Sequence, residues 1–242
     1  MSLPRIQLLQ ARRDTDPAKR EERESFAYRS GLPVEQFESH DLLEGPPSRE
    51  SVAGFDGIMI GGSGDFYVSK GDLDHFERSL DFLAEVSESG LPMFGSCFGF
   101  QCLVEARGGQ IVHDPESMEI GTYEISLTEA GRDDPLFGQL PDTFWAQLGR
   151  KDRAARLPDG VPNLASSARC GMQALRVPGK PVWASQFHPE LDGETNRERY
   201  LFYLSGYSDH MTAEEREAAL GNFRASPDTL GVLSSFVSLV YP

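Results

Sequence analysis

The N-terminal part of the chain shows short apolar runs that are separated by longer segments with helical spacing of apolar residues. The runs at residues 6–10, 57–60 and 91–94 have the length and composition of buried strands, and residues 34–39 are predicted to form a further strand. Between the last two, the segment 72–89 repeats apolar residues every three or four positions, as a packed helix does. This alternation predicts an α/β fold with a mostly parallel central sheet and helices on both faces.

Helix boundary signals agree with this interpretation. Asp16 and Pro17 are a favourable helix start, because aspartate caps the first N–H groups and proline fits the first turn. Gly31 is a favourable end, since glycine adopts the left-handed conformation that closes many helices. A first helix is therefore predicted from about residue 17 to residue 30.

The middle of the chain changes pattern. Runs at 120–128, 143–147, 163–167 and 172–177 predict strands that are joined by turns, with little helix between them. They indicate a small antiparallel segment within the same domain. The charged run 150–156 is interpreted as a solvated loop.

A C-terminal extension is predicted to follow a domain at residues 1–206. In this extension, residues 207–242, Thr212 and Glu215 form a capping-box pattern, and the last residues are strongly apolar. A segment this apolar is expected to pack on its own domain or at a homodimer interface, and a partner-binding helix is the alternative.

One predicted strand leads into a candidate nucleophile. Cys97 follows the run 91–94 and precedes an apolar helical stretch, with Gly95 and Gly99 placed two residues on either side. Small residues let a strand and a helix approach closely at a sharp turn that exposes the residue at its apex. A helix N-terminus also favours the reactive thiolate over the thiol. The alternative is a buried cysteine in a glycine-rich turn.

A second strand end carries a candidate base. The apolar run that starts at Val182 ends in His188, Pro189 and Glu190. Pro189 favours extended geometry at the residue before it, and residues two apart in an extended chain point to the same side. Glu190 could then orient the imidazole of His188, which would take the thiol proton. Together with Cys97, these residues form a candidate Cys-His-Glu triad.

The motifs GSCFGFQ and QFHPE, in this order, resemble those of the class I (triad) glutamine amidotransferase family. The resemblance covers the chain from about Ile6 to about Gly206 and implies the flavodoxin-like fold of that family. It implies that Cys97 is the nucleophile, His188 the base and Glu190 its orienting partner. It also implies that Gln101 helps to hold the substrate. Many members have a histidine-containing loop near residues 147–152, and this chain has no histidine there.

A glycine-rich turn after the run 57–60 is a candidate for an oxyanion hole. Such a hole needs backbone donors that come close to the substrate, and glycines permit this approach. We assign the donors to the N–H of Phe98 and to an N–H within the turn from Gly62 to Gly64, with Gly64 preferred. The alternative is an ordinary strand-end turn; the pattern of a phosphate-binding P-loop is absent.

Composition narrows the function classes. With 23 Lys and Arg against 38 Asp and Glu, the net charge is −15, which argues against a binder of nucleic acid or of anionic membranes. We find neither a signal peptide nor a membrane-spanning run. Cys97, Cys102 and Cys170 form no metal-binding or disulfide pattern. The expectation is a cytoplasmic protein with reduced thiols, and the chemistry requires neither a metal nor a cofactor.

Three functions remain open. The leading hypothesis, which follows from the resemblance, is hydrolysis of glutamine through a cysteinyl thioester. It would yield glutamate, and ammonia for an acceptor on another polypeptide such as a synthetase in trans. The first alternative uses the same triad to hydrolyse γ-glutamyl amides or peptides. The second, from a different class, is a non-catalytic binding or regulatory subunit.

Overall fold

The computed structural model describes residues 3–205 and 211–242. Its strands are β1 (Ile6–Ala11), β2 (Phe37–Asp41), β3 (Gly57–Ser63), β4 (Met93–Ser96), β5 (Gln110–His113), β6 (Glu119–Leu127), β7 (Thr143–Arg150), β8 (Asp152–Arg156), β9 (Asn163–Ser167), β10 (Ala174–Arg176) and β11 (Val182–Ser185). Its α-helices are α1 (Ala18–Ser30), α2 (Arg49–Val52), α3 (Phe76–Ser89), α4 (Phe98–Ala106), α5 (Glu129–Arg132), α6 (Gly193–Phe202), α7 (Ala213–Leu220) and α8 (Val232–Val240).

Nine of these strands form one sheet in the order β2-β1-β3-β4-β11-β10-β9-β6-β7. The five strands from β2 to β11 run parallel, and each further strand is antiparallel to its neighbour. A separate antiparallel ribbon pairs β5 with β8. The predicted α/β class is confirmed. The antiparallel segment continues the same sheet beyond its last parallel strand, β11.

The two faces of the sheet pack against different helices. Ile58 and Ile60 of β3 lie in the core that contains α3 and α4. Met59, between them, lies in the core that contains α1 and α8. Strands that are covered on both faces need apolar residues at consecutive positions, which is why these runs do not alternate with polar residues.

Three sequence interpretations need correction. Residues 34–36 form a 3-10 turn, so the second strand begins only at Phe37. Helix α3 begins at Phe76, because His75 before it has a left-handed backbone with a φ of 59°. The charged run 150–156 is largely strand β8, and Arg150 before it is buried in an ion pair with Glu119 (2.6 Å). The solvated-loop interpretation is therefore wrong.

The described part of the C-terminal extension packs on the domain. Helix α8 contacts α1, and the ring of Phe236 makes edge contacts with Phe94 (5.6 Å between centroids) and Trp183 (5.9 Å). Thr212 and Glu215 form the predicted capping box of α7. The predicted boundary between residues 206 and 207 lies outside the described residues.

Replacing Phe236 with alanine tests whether α8 belongs to the core. We expect Phe236→Ala to lower the free energy of unfolding by about 3–5 kcal/mol, since it empties a fully buried site. Leu239→Ala on the same helix is the control, because this side chain is 37% exposed and its loss should cost about 1 kcal/mol or less. Urea unfolding measures both values. Equal, small losses would contradict the packing role of α8.

Candidate active site

Cys97 occupies a strained turn between β4 and α4. Its φ of 50° and ψ of −96° lie in a region that non-glycine residues rarely adopt. Hydrogen bonds fix this geometry on both sides: the Cys97 N–H donates to the Ser185 carbonyl (2.8 Å), and the Cys97 carbonyl accepts from the Gln101 N–H (3.1 Å). The turn therefore holds the thiol at the carboxyl end of the parallel sheet.

Glycines on both sides of Cys97 make this turn possible. A Cβ on Gly99 would lie 2.7 Å from both Cβ and the carbonyl oxygen of Ile60 in the neighbouring strand. A Cβ on Gly95 would lie 2.7 Å from the carbonyl carbon of Gly99. Both distances are too short for a side chain, so the close approach of strand and helix that the sequence predicts is present.

His188 and Glu190 lie beside this turn because β11 is the parallel neighbour of β4. The Nδ1 atom of His188 is 2.6 Å from the Oε1 atom of Glu190. The other carboxylate oxygen of Glu190 accepts from the Ser96 hydroxyl at 2.8 Å. All of these side chains are buried, and Cys97 is buried with them at 6% exposure, so the prediction that the turn exposes the thiol is wrong. The pairing of β4 with β11 thus places Cys97 near His188 and Glu190.

Opposite effects act on the pKa values of this pair. Burial alone would lower the pKa of His188, but the charges of Glu190 and Cys97 and their hydrogen bonds with the ring raise it. Burial alone would raise the pKa of Glu190, but His188, Arg199 and Ser96 lower it. The site therefore favours a carboxylate next to an imidazole that accepts and holds a proton readily.

A small open cavity of about 30 Å³ lies in front of the thiol. Gln101 borders it, with an amide nitrogen that donates to the carbonyl of Asp152 (3.1 Å) and to the side-chain oxygen of Gln186 (3.0 Å). Because both bonds use the nitrogen, the amide oxygen of Gln101 is the end available to a ligand. The remaining wall is formed by Ser63, Gly64, Phe66, Tyr67, Phe98, Gly149, Arg150, Lys151 and Asp152.

The three candidate oxyanion donors differ in their surroundings. The N–H of Gly62 donates to the buried carboxylate of Glu22 at 3.0 Å, so it already has an acceptor. Gly64 and Phe98 both border the cavity next to Cys97. The structure therefore favours Phe98 and Gly64 over Gly62 as donors.

A network of buried charges lies behind the His-Glu pair. Glu22 has no exposed surface and binds Arg12 through two contacts of 2.8 and 3.0 Å. Arg199 of α6 lies between the carboxylates, with its Nη1 atom 3.7 Å from Glu190 and 3.9 Å from Glu22. Glu22 and Arg199 were not among the predicted site residues, because their charges look like ordinary surface charges on a helix. Arg12 follows the first strand, a position from which it could border the site.

Two residues inside the quoted motifs were also missed. Ser96 contacts Glu190, and the amide nitrogen of Gln186 lies 3.5 Å from the Cys97 sulfur. Ser96 stands directly before Cys97, and Gln186 stands two residues before His188. These positions were the signal that could have identified them as site residues. Within residues 3–205 and 211–242, no group of three or more His, Cys, Asp or Glu side chains could hold a metal ion. The same residues contain no helix that is both long and apolar enough to span a bilayer.

The fold and these contacts define an α/β protein whose cysteine lies in a sharp strand-to-helix turn at the carboxyl ends of the parallel strands. The sequence model of the family described as glutamine amidotransferase class-I matches residues 29–204. The chain therefore belongs to the class I glutamine amidotransferase family.

GMP synthases and their subunits are similar in sequence to a part of this chain. A glutamine-hydrolyzing GMP synthase subunit of Methanoregula boonei is 30% identical over 151 residues, which are 62% of this chain and 74% of the relative. The glutamine-hydrolyzing GMP synthase of Lactobacillus delbrueckii subsp. bulgaricus is 31% identical over 143 residues, 57% of this chain. The match spans only 27% of the length of that longer relative.

Solved structures support the fold. A glutamine amidotransferase from Thermotoga maritima superposes with a TM-score of 0.72 at 17% identity, and the match covers 100% of both chains. A putative GMP synthase subunit from Thermoplasma acidophilum gives a TM-score of 0.59 at 20% identity and covers 88% of this chain and 98% of its own.

Removing Arg12 tests the buried charge network. We expect Arg12→Met to lower the free energy of unfolding by about 3–5 kcal/mol, since it leaves the buried Glu22 carboxylate without its main partner. Arg20→Met is the control, because Arg20 pairs with Glu24 on the exposed face of α1 and should cost about 0.5 kcal/mol or less. Urea unfolding at neutral pH gives both values, and similar losses would contradict this view of the network.

Proposed function

We propose that this protein hydrolyses the side-chain amide of glutamine through a thioester on Cys97, releasing glutamate and ammonia. The observation that carries the proposal is the buried pair of His188 and Glu190, with 2.6 Å between Nδ1 and Oε1, at the end of the strand that pairs with the one leading to Cys97. Membership of the class I family supports glutamine as the substrate.

In the first half of the reaction, His188 takes the thiol proton and the Cys97 sulfur attacks the δ-carbonyl carbon of glutamine. The oxygen of the tetrahedral intermediate then carries the negative charge, for which Phe98 and Gly64 N–H groups are the proposed donors. His188 returns the proton to the amide nitrogen, the carbon–nitrogen bond breaks, and ammonia leaves. The γ-glutamyl group remains bound to sulfur as a thioester.

In the second half, His188 removes a proton from water, and the resulting hydroxide attacks the thioester carbonyl. The carbon–sulfur bond breaks, His188 gives its proton to the sulfur, glutamate leaves, and the Cys97 thiol is restored. Glu190 remains ionised throughout and keeps the imidazole in one orientation, since it is bound by Ser96 as well. The amide oxygen of Gln101 is proposed to accept a hydrogen bond from the ammonium group of the substrate.

The ammonia is proposed to serve a synthetase that acts in trans. The relative from Methanoregula boonei is named as one subunit of GMP synthase, and the match covers 74% of its length. In the longer relative from Lactobacillus delbrueckii, the match is confined to 27% of the length. Both facts support an amidotransferase unit whose acceptor chemistry is performed by a different polypeptide segment.

Substitutions in the triad test the catalytic assignment. We expect Cys97→Ser and His188→Ala each to remove nearly all glutamate release, and the double variant to be little worse than either, because the members of a triad act as a unit. Glu190→Gln should be milder, since an amide still orients the ring in part. Cys102→Ala, five residues farther along the chain in α4, is the control and should retain activity. Full activity of Cys97→Ser would refute the assignment.

A substrate comparison separates the remaining functions. Purified protein is given glutamine or γ-glutamyl amines, and glutamate release is measured together with labelling of Cys97 by a glutamine-like electrophile. We expect turnover of glutamine and labelling that excess glutamine prevents. Faster turnover of the amines would favour a γ-glutamyl amide hydrolase. Neither turnover nor labelling would favour a binding or regulatory subunit.

A further inference from the structure

Gln186 lies next to the candidate nucleophile because of the register between β4 and β11. Ser96 pairs with Ser185 in the parallel ladder, and the N–H of Cys97 donates to the Ser185 carbonyl at 2.8 Å. The residue that follows on each strand is therefore Cys97 on one side and Gln186 on the other. The Nε2 atom of Gln186 lies 3.5 Å from the Cys97 sulfur, within the range of an N–H···S hydrogen bond.

The amide of Gln186 is fixed in one orientation. Its oxygen accepts a hydrogen bond from the amide nitrogen of Gln101 at 3.0 Å, so its nitrogen must face the sulfur. Gln101 is itself anchored to the carbonyl of Asp152, and the backbone N–H of Gln186 donates to the carbonyl of Gln173 (2.8 Å). Gln186 has no exposed surface. An amide that is held at both ends can present its N–H without reorganisation when charge develops on sulfur.

A donor at this place acts differently on the two forms of sulfur. A hydrogen bond to a charged acceptor is stronger than one to a neutral acceptor, so the amide stabilises the thiolate more than the thiol or the thioester. The sulfur carries negative charge before it attacks and again when the thioester breaks. The other ionisable side chains that contact Cys97 or border its cavity are His188, Tyr67, Arg150, Lys151 and Asp152.

We propose that Gln186 is a positioning residue for the nucleophile, and that its amide N–H holds the Cys97 sulfur in place and stabilises the thiolate. This role rests on the proposed thioester chemistry. It gives Gln101 a second task beside substrate binding, because Gln101 orients the amide of Gln186. In the second half of the reaction, the same N–H stabilises the sulfur as it leaves the thioester carbon.

The test replaces Gln186 with methionine, which has a similar length and no N–H. Alkylation of Cys97 by iodoacetamide is followed by peptide mass spectrometry over a range of pH. We expect the midpoint of the Gln186→Met curve to lie about one pH unit above that of the wild type, which is about tenfold less thiolate at a given pH below both midpoints. Glutamate release should fall by about tenfold as well.

Gln173→Met is the matched control. Gln173 is an equally buried glutamine on the neighbouring strand segment, and its amide binds Glu119 (2.8 Å) and Ser167 (3.0 Å). A general effect of losing a buried amide would appear in this variant too, whereas the proposal predicts a midpoint close to that of the wild type. An equal shift in both variants would overturn the proposal.

A second variant covers the case in which Gln186→Met fails to fold. Gln101→Met removes the donor that orients the Gln186 amide, so we expect a smaller upward shift of the alkylation midpoint. An unchanged midpoint in the folded variants would overturn the proposal. The alkylation measurement concerns the thiol alone, so it judges Gln186 even if the wild-type protein hydrolyses no glutamine, which would refute the proposed function instead.

Discussion

The pairing of β4 with β11 as parallel neighbours is the constraint on which the site depends. These strands are far apart in the sequence, and their hydrogen-bonded ladder puts Ser96 opposite Ser185. Beyond this pair, the backbone that follows β4 turns sharply into α4 at Cys97. The backbone that follows β11 continues through Gln186 to His188. Each residue at the end of β4 then meets a partner from the end of β11. A shift of β11 by one residue would turn its side chains to the opposite face of the sheet and would break these contacts.

Charge compensation lets the site lie in the interior. Glu190 and Glu22 are both buried, and an isolated buried carboxylate would be costly. Arg12 binds Glu22, His188 binds Glu190, and Arg199 lies within 4 Å of both carboxylates. Helices α1 and α6 therefore do more than cover the sheet, because they supply the charges that surround the site, among them the arginine that helps to keep Glu190 ionised beside the imidazole.

Local patterns predicted the elements well wherever nearby residues decide the structure. Strand β9 has the predicted bounds, and α1 begins and ends within a residue of its predicted limits, because Asp16, Pro17 and Gly31 act on the adjacent turns. The error at residues 150–156 has a different origin. The run 150–156 is highly charged, yet Arg150 is buried because Glu119 faces it across β6 and β7. Sequence patterns cannot show such a partner, since it is brought there by strand pairing.

The sequence by itself determined the α/β class and pointed to the Cys97 turn and to the His188–Glu190 pair. These features depend on residue types at short, fixed spacings, whose backbone consequences are local. The tertiary structure alone decided that Gly62 donates to Glu22, that Gln186 faces the sulfur, and that Arg199 lies beside Glu190. The physical reason is that these contacts join residues on different strands and helices, so they exist only after the sheet order and its register are set.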